Sequence, residues 1–274
     1  MILEIKDLRV SFLGFDDGQT KRFEAVDGLS AEIEVGSFTS LVGQSGSGKS
    51  VTALSVCKLV NPYRLLGGIY LHRPGGEKID LLRLEGEALR AVRGHEIGYV
   101  FQDPASSLNP VLTAGFQIEE AYLTHFPETR AQARSKTLEA LHAVKLNDAE
   151  RVYRSYPHQL SGGMKQRVMI AMALVCGPRL LIADEPTTAL DVMTERDILS
   201  LLTGLRKDRG LTLLFITHNL SLAMRHSDRI YVMEKGRVRE RLEKTDNFAF
   251  REAYTKKLFN AELTNAKPKT LIDV

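Results

Sequence analysis

No apolar run in this chain approaches the roughly 20 residues needed to cross a bilayer, and its start, Met-Ile-Leu-Glu-Ile-Lys, lacks the charged-then-apolar pattern of a leader. Any membrane spans its work requires must therefore come from other polypeptides. Cysteine is scarce: Cys57 and Cys176 are the only two. Both lie in apolar helical surroundings at no metal-ligand spacing, so they read as reduced core residues. A cytosolic compartment fits that usage. Neither sign of charge is in much excess, and the formal net charge is +3 with histidine neutral. That balance argues against a nucleic-acid binder relying on a strong basic field. Internal repeats and low-complexity tracts are missing as well. The 274 residues leave room for one large α/β domain or two small ones, with ample core in either case.

What is present is concentrated in short polar motifs at the ends of apolar segments. Gly43-Gln-Ser45-Gly46-Ser47-Gly48-Lys49-Ser50 has the spacing of a phosphate-binding loop. Glycine tolerates the backbone angles that turn successive N–H groups inward, and it puts no side chain between amide and oxygen. Lys49 would then neutralise charge between the β- and γ-phosphates, and the Ser50 hydroxyl would become a Mg²⁺ ligand. The flanks agree: 38–42 reads as a buried strand and 49–59 as a helix, whose N-terminus would face the anion. A flexible Gly/Ser linker would not sit between two apolar elements and end in Lys-Ser.

The rest of the chain alternates strand and helix patterns. Residues 3–12 alternate apolar and polar as a half-buried strand does. A polar hairpin loop is expected over 14–22, and strand character resumes at 23–33. Residues 64–87 suggest a hairpin plus a short helix, and 97–101 another strand. From 115 to about 146 apolar residues recur at helical spacing, which marks a helical insertion. Further helices are expected at 162–175 and 192–206, and strands at 179–183, 211–217 and 229–234. Beyond Leu242 the chain turns polar and Lys-rich, with few core-forming residues. The fold class is therefore α/β: a mostly parallel sheet covered by helices, with an antiparallel β subdomain and an inserted helical subdomain.

Three of the predicted strands end in groups fit for phosphate chemistry. Leu180-Leu-Ile-Ala-Asp184-Glu185 puts two carboxylates at a carboxyl edge, where open α/β sheets hold ligands. Asp184 is placed to hold Mg²⁺ through water, and Glu185 to polarise an attacking water. The alternative for this pair is a helix-capping acid ahead of Pro186. His218 ends a second strand, where a neutral imidazole can donate to the γ-phosphate and order Glu185. Gln102 ends a third, its amide able to accept from a metal-bound water and donate to the nucleophile. Farther along, Leu160-Ser161-Gly162-Gly163-Met164 is a glycine-rich signature that most phosphate-loop ATPases lack.

In order and spacing these motifs resemble the ATP-binding subunit of an ABC transporter, a RecA-like ATPase, over roughly residues 1–240. Gly43–Ser50 resembles Walker A, Gln102 the Q-loop, 160–164 the family signature, 180–185 Walker B, Ala189-Leu190-Asp191 the D-loop and His218 the switch histidine. The resemblance implies a helical subdomain at about 103–165 and a short extension at 241–274. It implies head-to-tail pairing in which Ser161 and Gly163 reach the γ-phosphate held by the partner's Lys49, with Gly162 and the signature helix dipole alongside. An aromatic that stacks on adenine is expected upstream of Walker A; Phe12 is the best match, Phe15 and Phe23 the alternatives.

Phe101-Gln102-Asp103-Pro104-x-x-Ser107-Leu108-Asn109-Pro110 and Tyr156–Arg167 resemble the dipeptide/oligopeptide/nickel importer subfamily. So does Ala253-Tyr254-Thr255-Lys256-Lys257-Leu258. Gln44 departs mildly from that subfamily's usual Glu. The sequence through Val274 carries no cysteine cluster, so no iron–sulfur cluster is expected. Implied partners are a second, different ATPase subunit, two integral-membrane permease subunits and an extracytoplasmic solute-binding protein, with no nucleic acid. The implied location is peripheral, on the cytoplasmic face of the cell membrane. The rival class, a non-transport ATPase of DNA repair or translation, typically carries a coiled coil, zinc modules or tandem cores, and none of these is in this sequence.

Overall fold

A computed structural model of the chain describes residues 1–16, 19–188 and 190–266. In chain order, β1 (Leu3–Asp16) and β2 (Gln19–Ile33) form a hairpin, followed by β3 (Phe38–Val42) and α1 (Lys49–Val56). Next come β4 (Arg64–His72), β5 (Lys78–Asp80), α2 (Gly86–Val92) and β6 (Ile97–Val100). A helical block of α3 (Pro104–Ser107), α4 (Ala114–Leu123), α5 (Arg130–Ala143) and α6 (Ala149–Arg154) leads into α7 (Gly162–Leu174). The alternation then resumes with β7 (Leu180–Asp184), α8 (Val192–Arg209), β8 (Thr212–Thr217), α9 (Leu220–His226) and β9 (Arg229–Glu234). β10 (Arg237–Glu243) and α10 (Ala253–Ala266) complete the described chain.

The strands make two sheets. One is antiparallel with the order β2-β1-β4-β5; the other has the order β10-β9-β3-β8-β7-β6 and is parallel except for β10. Every residue of β3, β7 and β8 is buried, the signature of central parallel strands covered on both faces. Strand periodicity then divides their side chains. Leu180, Ile182, Leu214 and Ile216 pack with α1 and the antiparallel sheet. Leu181, Ala183, Leu213 and Phe215 pack with α7, α8 and the helical block. Continuing this alternation sends the Asp184 side chain toward α1, which matters for the site. The helical block is locked in place by caps: Thr129 and Gln132 form a capping box at the start of α5.

Two expectations about the fold give way. The loop foreseen at 14–22 is hairpin instead, with Leu13 paired to Arg22, Gly14 to Lys21, Phe15 to Thr20 and Asp16 to Gln19. The ladder satisfies the backbone there with little burial: Phe15 is 85% exposed. Without a buried face, no apolar alternation marks this part as strand. The polar tail also joins the core. Phe248 and Leu258 are buried in a cluster with Val42, Leu220, Ile230, Val232 and Leu242. Its apolar residues are spread too thinly along the sequence to register as an element, yet α10 gathers them against α9.

Candidate functional site

The loop between β3 and α1 wraps the start of α1. Gly48, the residue before that helix, has φ +100°, a region L side chains rarely adopt, and a Cβ there would collide with the Ala25 carbonyl. The Lys49 ammonium is turned back into the loop, donating to the Gly43 carbonyl at 2.8 Å and the Gln44 carbonyl at 3.1 Å. Its Nζ is also 3.8 Å from a Glu185 carboxylate oxygen. Burial pulls the Lys49 pKa down from the usual lysine value, while Glu185 and Asp184 oppose the shift.

Asp184, at the end of β7, accepts from the Ser50 hydroxyl at 3.0 Å and from the Tyr99 hydroxyl at 3.0 Å. Burial raises its pKa, against the two hydroxyl donors and Lys49, which lower it. Burial likewise raises the Tyr99 phenol. Tyr99 is a site residue that sequence reading missed. The available signal was its place on β6, where Tyr99 pairs with Ile182 in register, two residues before Asp184 on β7.

Glu185 is the hub. It accepts from the Thr188 hydroxyl at 2.9 Å and from the Gln102 amide at 3.4 Å, and it lies 3.2 Å from His218 Nδ1. Its backbone stands at φ +44°, a left-handed conformation that is costly for any residue but glycine and that clusters at functional sites. Thr188 is a second partner that the sequence alone did not reveal. The structure thus brings Gln102, Glu185, His218, Lys49, Ser50 and Asp184 together, from the ends of three strands and the start of α1.

Gln102, Glu185, His218, Lys49 and Ser50 line a cavity of about 710 Å³ along with Ser45, Gly46, Ser47 and Gly48; Asp184 is bonded to Ser50 but does not itself line it. Its apolar end carries Phe23 and Ala25 but not Phe12. Phe12 and Phe23 are cross-strand partners, yet Phe12 packs against the core whereas Phe23 is 60% exposed. The aromatic that lines this cavity is Phe23, one of the alternatives, while Phe12, the best match in sequence, is a partly buried residue beside it on the neighbouring strand. Phe15, the other alternative, does not line it either.

Ser161, Gly162 and Gly163 lie outside the cavity. Ser161 caps α7, its hydroxyl accepting from the Met164 N–H at 3.3 Å. Asp191 caps α8, accepting from the N–H groups of Met193 and Thr194 and from the Thr194 hydroxyl. Hydrogen bonds from Thr194 hold the Asp191 carboxyl below its usual range. Thr194 in turn packs on the signature: a Cβ at Gly163 would stand 2.8 Å from its methyl carbon. Ala189, the first residue of the expected D-loop, lies outside the described residues.

Ser50 and Asp184 are hard oxygen donors at hydrogen-bond distance from each other, beside the Gln102–Glu185 pair. Mg²⁺ takes one or two such protein ligands together with phosphate oxygens and water, so the residues present fit that ion.

The family model described as ABC transporter matches residues 26–188. A probable peptide ABC transporter ATP-binding protein of Sinorhizobium fredii is 43% identical over 266 residues, covering 95% of this chain and 76% of that protein. A dipeptide transport ATP-binding protein of Haemophilus influenzae is 43% identical over 275 residues, covering 99% of this chain and 81% of its own length. Among solved structures, the dimeric post-hydrolysis state of an ATP-binding cassette bound to ADP and Pi superposes with a TM-score of 0.75 at 30% identity, covering 88% of this chain and 98% of that one.

Proposed function

The chain belongs to the ABC transporter ATPases, and we propose that within this family it powers an importer of peptides or related small solutes, nickel or metal chelates included. It is an ATP hydrolase. The observation that carries the reading is the convergence of Lys49, Gln102, Glu185 and His218 on one cavity floored by the phosphate loop.

Loop amides and Lys49 bind the triphosphate, and Phe23 offers a face to the base. Ser50 and Asp184, with Gln102 nearby, hold Mg²⁺, which when bound draws charge from the phosphate oxygens. Glu185 accepts the proton of the attacking water as general base. His218 and Thr188 fix the position of its carboxylate, and His218 also faces the γ-phosphate. Gln102 links the site to the helical block, since the residue after it, Asp103, caps α3. A second ATPase subunit, different from this one, supplies its own signature here, while Ser161, Gly162 and Gly163 serve that subunit's site. This accounts for the position of these three residues outside their own cavity. Differential affinity of the closed and open pairs for ATP, not ATP binding as such, drives two permease subunits between states. An extracytoplasmic binding protein delivers the cargo to them, and the ATPase stays peripheral on the cytoplasmic side. No helix among the described residues is long and apolar enough to cross a membrane, which agrees with spans lying on other chains.

The test is a pull-down of tagged Glu185→Gln protein with ATP from detergent-solubilised membranes of its source, followed by identification of the bound chains. Two integral-membrane subunits and a second ATPase are expected. Recovery of only soluble or nucleic-acid-associated proteins would move the chain to a non-transport role.

A further inference from the structure

The helix α10 does more than fill the core. Tyr254, Leu258 and Ala261 stand at i, i+4 and i+7, so they share one helix face. That face points at the phosphate loop. The Tyr254 hydroxyl accepts from the Gln44 N–H at 3.5 Å, and Leu258 and Ala261 line the same cavity as Lys49 and Phe23. Leu258 is also packed in the cluster that contains Val42, the last strand residue before the loop. One end of the helix face is therefore tied to the loop backbone, and its middle is anchored in the core.

The lining of the cavity divides by chemistry. Lys49, Ser50, Gln102, Glu185 and His218 are polar and suit a triphosphate and its reaction. The apolar contributors include Phe23 and Ala25 from β2, and Leu258 and Ala261 from α10. A nucleobase has two apolar faces, so one aromatic ring on β2 leaves the opposite side to be covered. Aliphatic carbon from Leu258 and Ala261 in the same lining is suited to remove such surface from water.

We propose that α10 is a wall of the nucleotide site, with Leu258 and Ala261 setting affinity for the base of the bound nucleotide. This rests on reading the cavity as the ATP site. The wall touches the base and not the reacting phosphate, so Leu258 and Ala261 act on nucleotide binding and leave the chemical step alone.

The test uses the full-length chain and compares calorimetric binding of Mg-ATP, Mg-GTP and inorganic tripolyphosphate, which has the phosphates without a base. Ala261→Gln places polar bulk on an exposed helix position that accepts any good helix former. It is expected to weaken ATP binding about tenfold, change the ATP-to-GTP preference and leave tripolyphosphate within twofold. In turnover, KM for ATP rises while kcat stays within twofold. Leu258→Ala, checked for folding by thermal denaturation, is expected to move in the same direction. ATP affinity unchanged in both variants, or ATP and tripolyphosphate weakened alike, would overturn the proposal. Failure of the wild-type chain to bind ATP would instead sink the ATP-site reading beneath it.

Discussion

Glu185→Gln isolates the chemistry from the binding. The substitution keeps the side chain's shape and the acceptor that Thr188 and Gln102 use, but it removes the carboxylate that takes a proton. General-base catalysis contributes typically about 10²- to 10⁴-fold, or about 2.7–5.4 kcal/mol of barrier. The kcat for ATP is expected to fall by that range. Binding responds differently. Lys49 Nζ lies 3.8 Å from Glu185, and at an effective dielectric constant of about 20 the gross attraction of that pair is about 4 kcal/mol. Neutralising Glu185 frees Lys49 from this competitor, so its attraction for phosphate is undiminished. ATP affinity should therefore be equal or tighter while turnover collapses. The assay pairs steady-state phosphate release with equilibrium nucleotide binding on one preparation. A kcat within tenfold of wild type would refute Glu185 as the base. A parallel loss of ATP affinity would refute the competition with Lys49.

Phe23→Ala should raise the KM for ATP about 5- to 150-fold, from the roughly 1–3 kcal/mol that an aromatic–base stack contributes; Phe12→Ala should instead lower thermal stability, and the opposite pattern would restore Phe12 to the site. Asp184→Asn should abolish Mg²⁺-dependent turnover yet raise the melting temperature of the nucleotide-free chain at pH 7. The sign follows from burial, which raises the folded pKa of Asp184 above the ordinary aspartate value of 3.8. Folding is favoured while this carboxyl is protonated and that contribution is lost as pH rises through the folded pKa, so the gain from Asn should shrink as pH falls toward 3.8. Tyr99→Phe removes a donor that lowers the Asp184 pKa, so the acidic limb of the pH–rate profile should move to higher pH; an unmoved limb would show that Tyr99 does not tune Asp184.

Much of this site was legible because its chemistry sits at strand ends. A buried strand announces itself by an apolar run, unbroken at 180–183 and 213–216 and interrupted only by the small hydroxyls Thr39 and Ser40 at 38–42, and the polar residues that follow fall at one sheet edge for geometric reasons alone. Partners contributed across strands were harder to read. Tyr99 is an ordinary aromatic in a strand pattern until the pairing of Gly98 with Leu181 and Tyr99 with Ile182 brings it beside Asp184. Thr188 lies three residues beyond Glu185, and only the turn at 185–188 brings its hydroxyl back to that carboxylate. The choice between Phe12 and Phe23 was likewise beyond periodicity. Both belong to one cross-strand pair, and which ring is left exposed depends on the packing around the hairpin, not on the alternation within either strand.

The polar groups of the site are paired with one another, and a nucleotide bound there would exchange these contacts for its own. Lys49 is satisfied by the Gly43 and Gln44 carbonyls, Ser50 by Asp184, and the Glu185 carboxylate by its hydroxyl, amide and imidazole neighbours. Each is a group that would be costly to leave buried and unpaired. Nucleotide affinity is then a difference between ligand contacts and the internal ones exchanged for them. The same holds for the proposed catalysis: the φ +44° at Glu185 and the bonds around its carboxylate spend folding free energy on one orientation, so little reorganisation would remain for a general base at this position. In the proposed mechanism, Thr188 on Glu185 and Tyr99 on Asp184 would influence turnover without needing to touch the substrate.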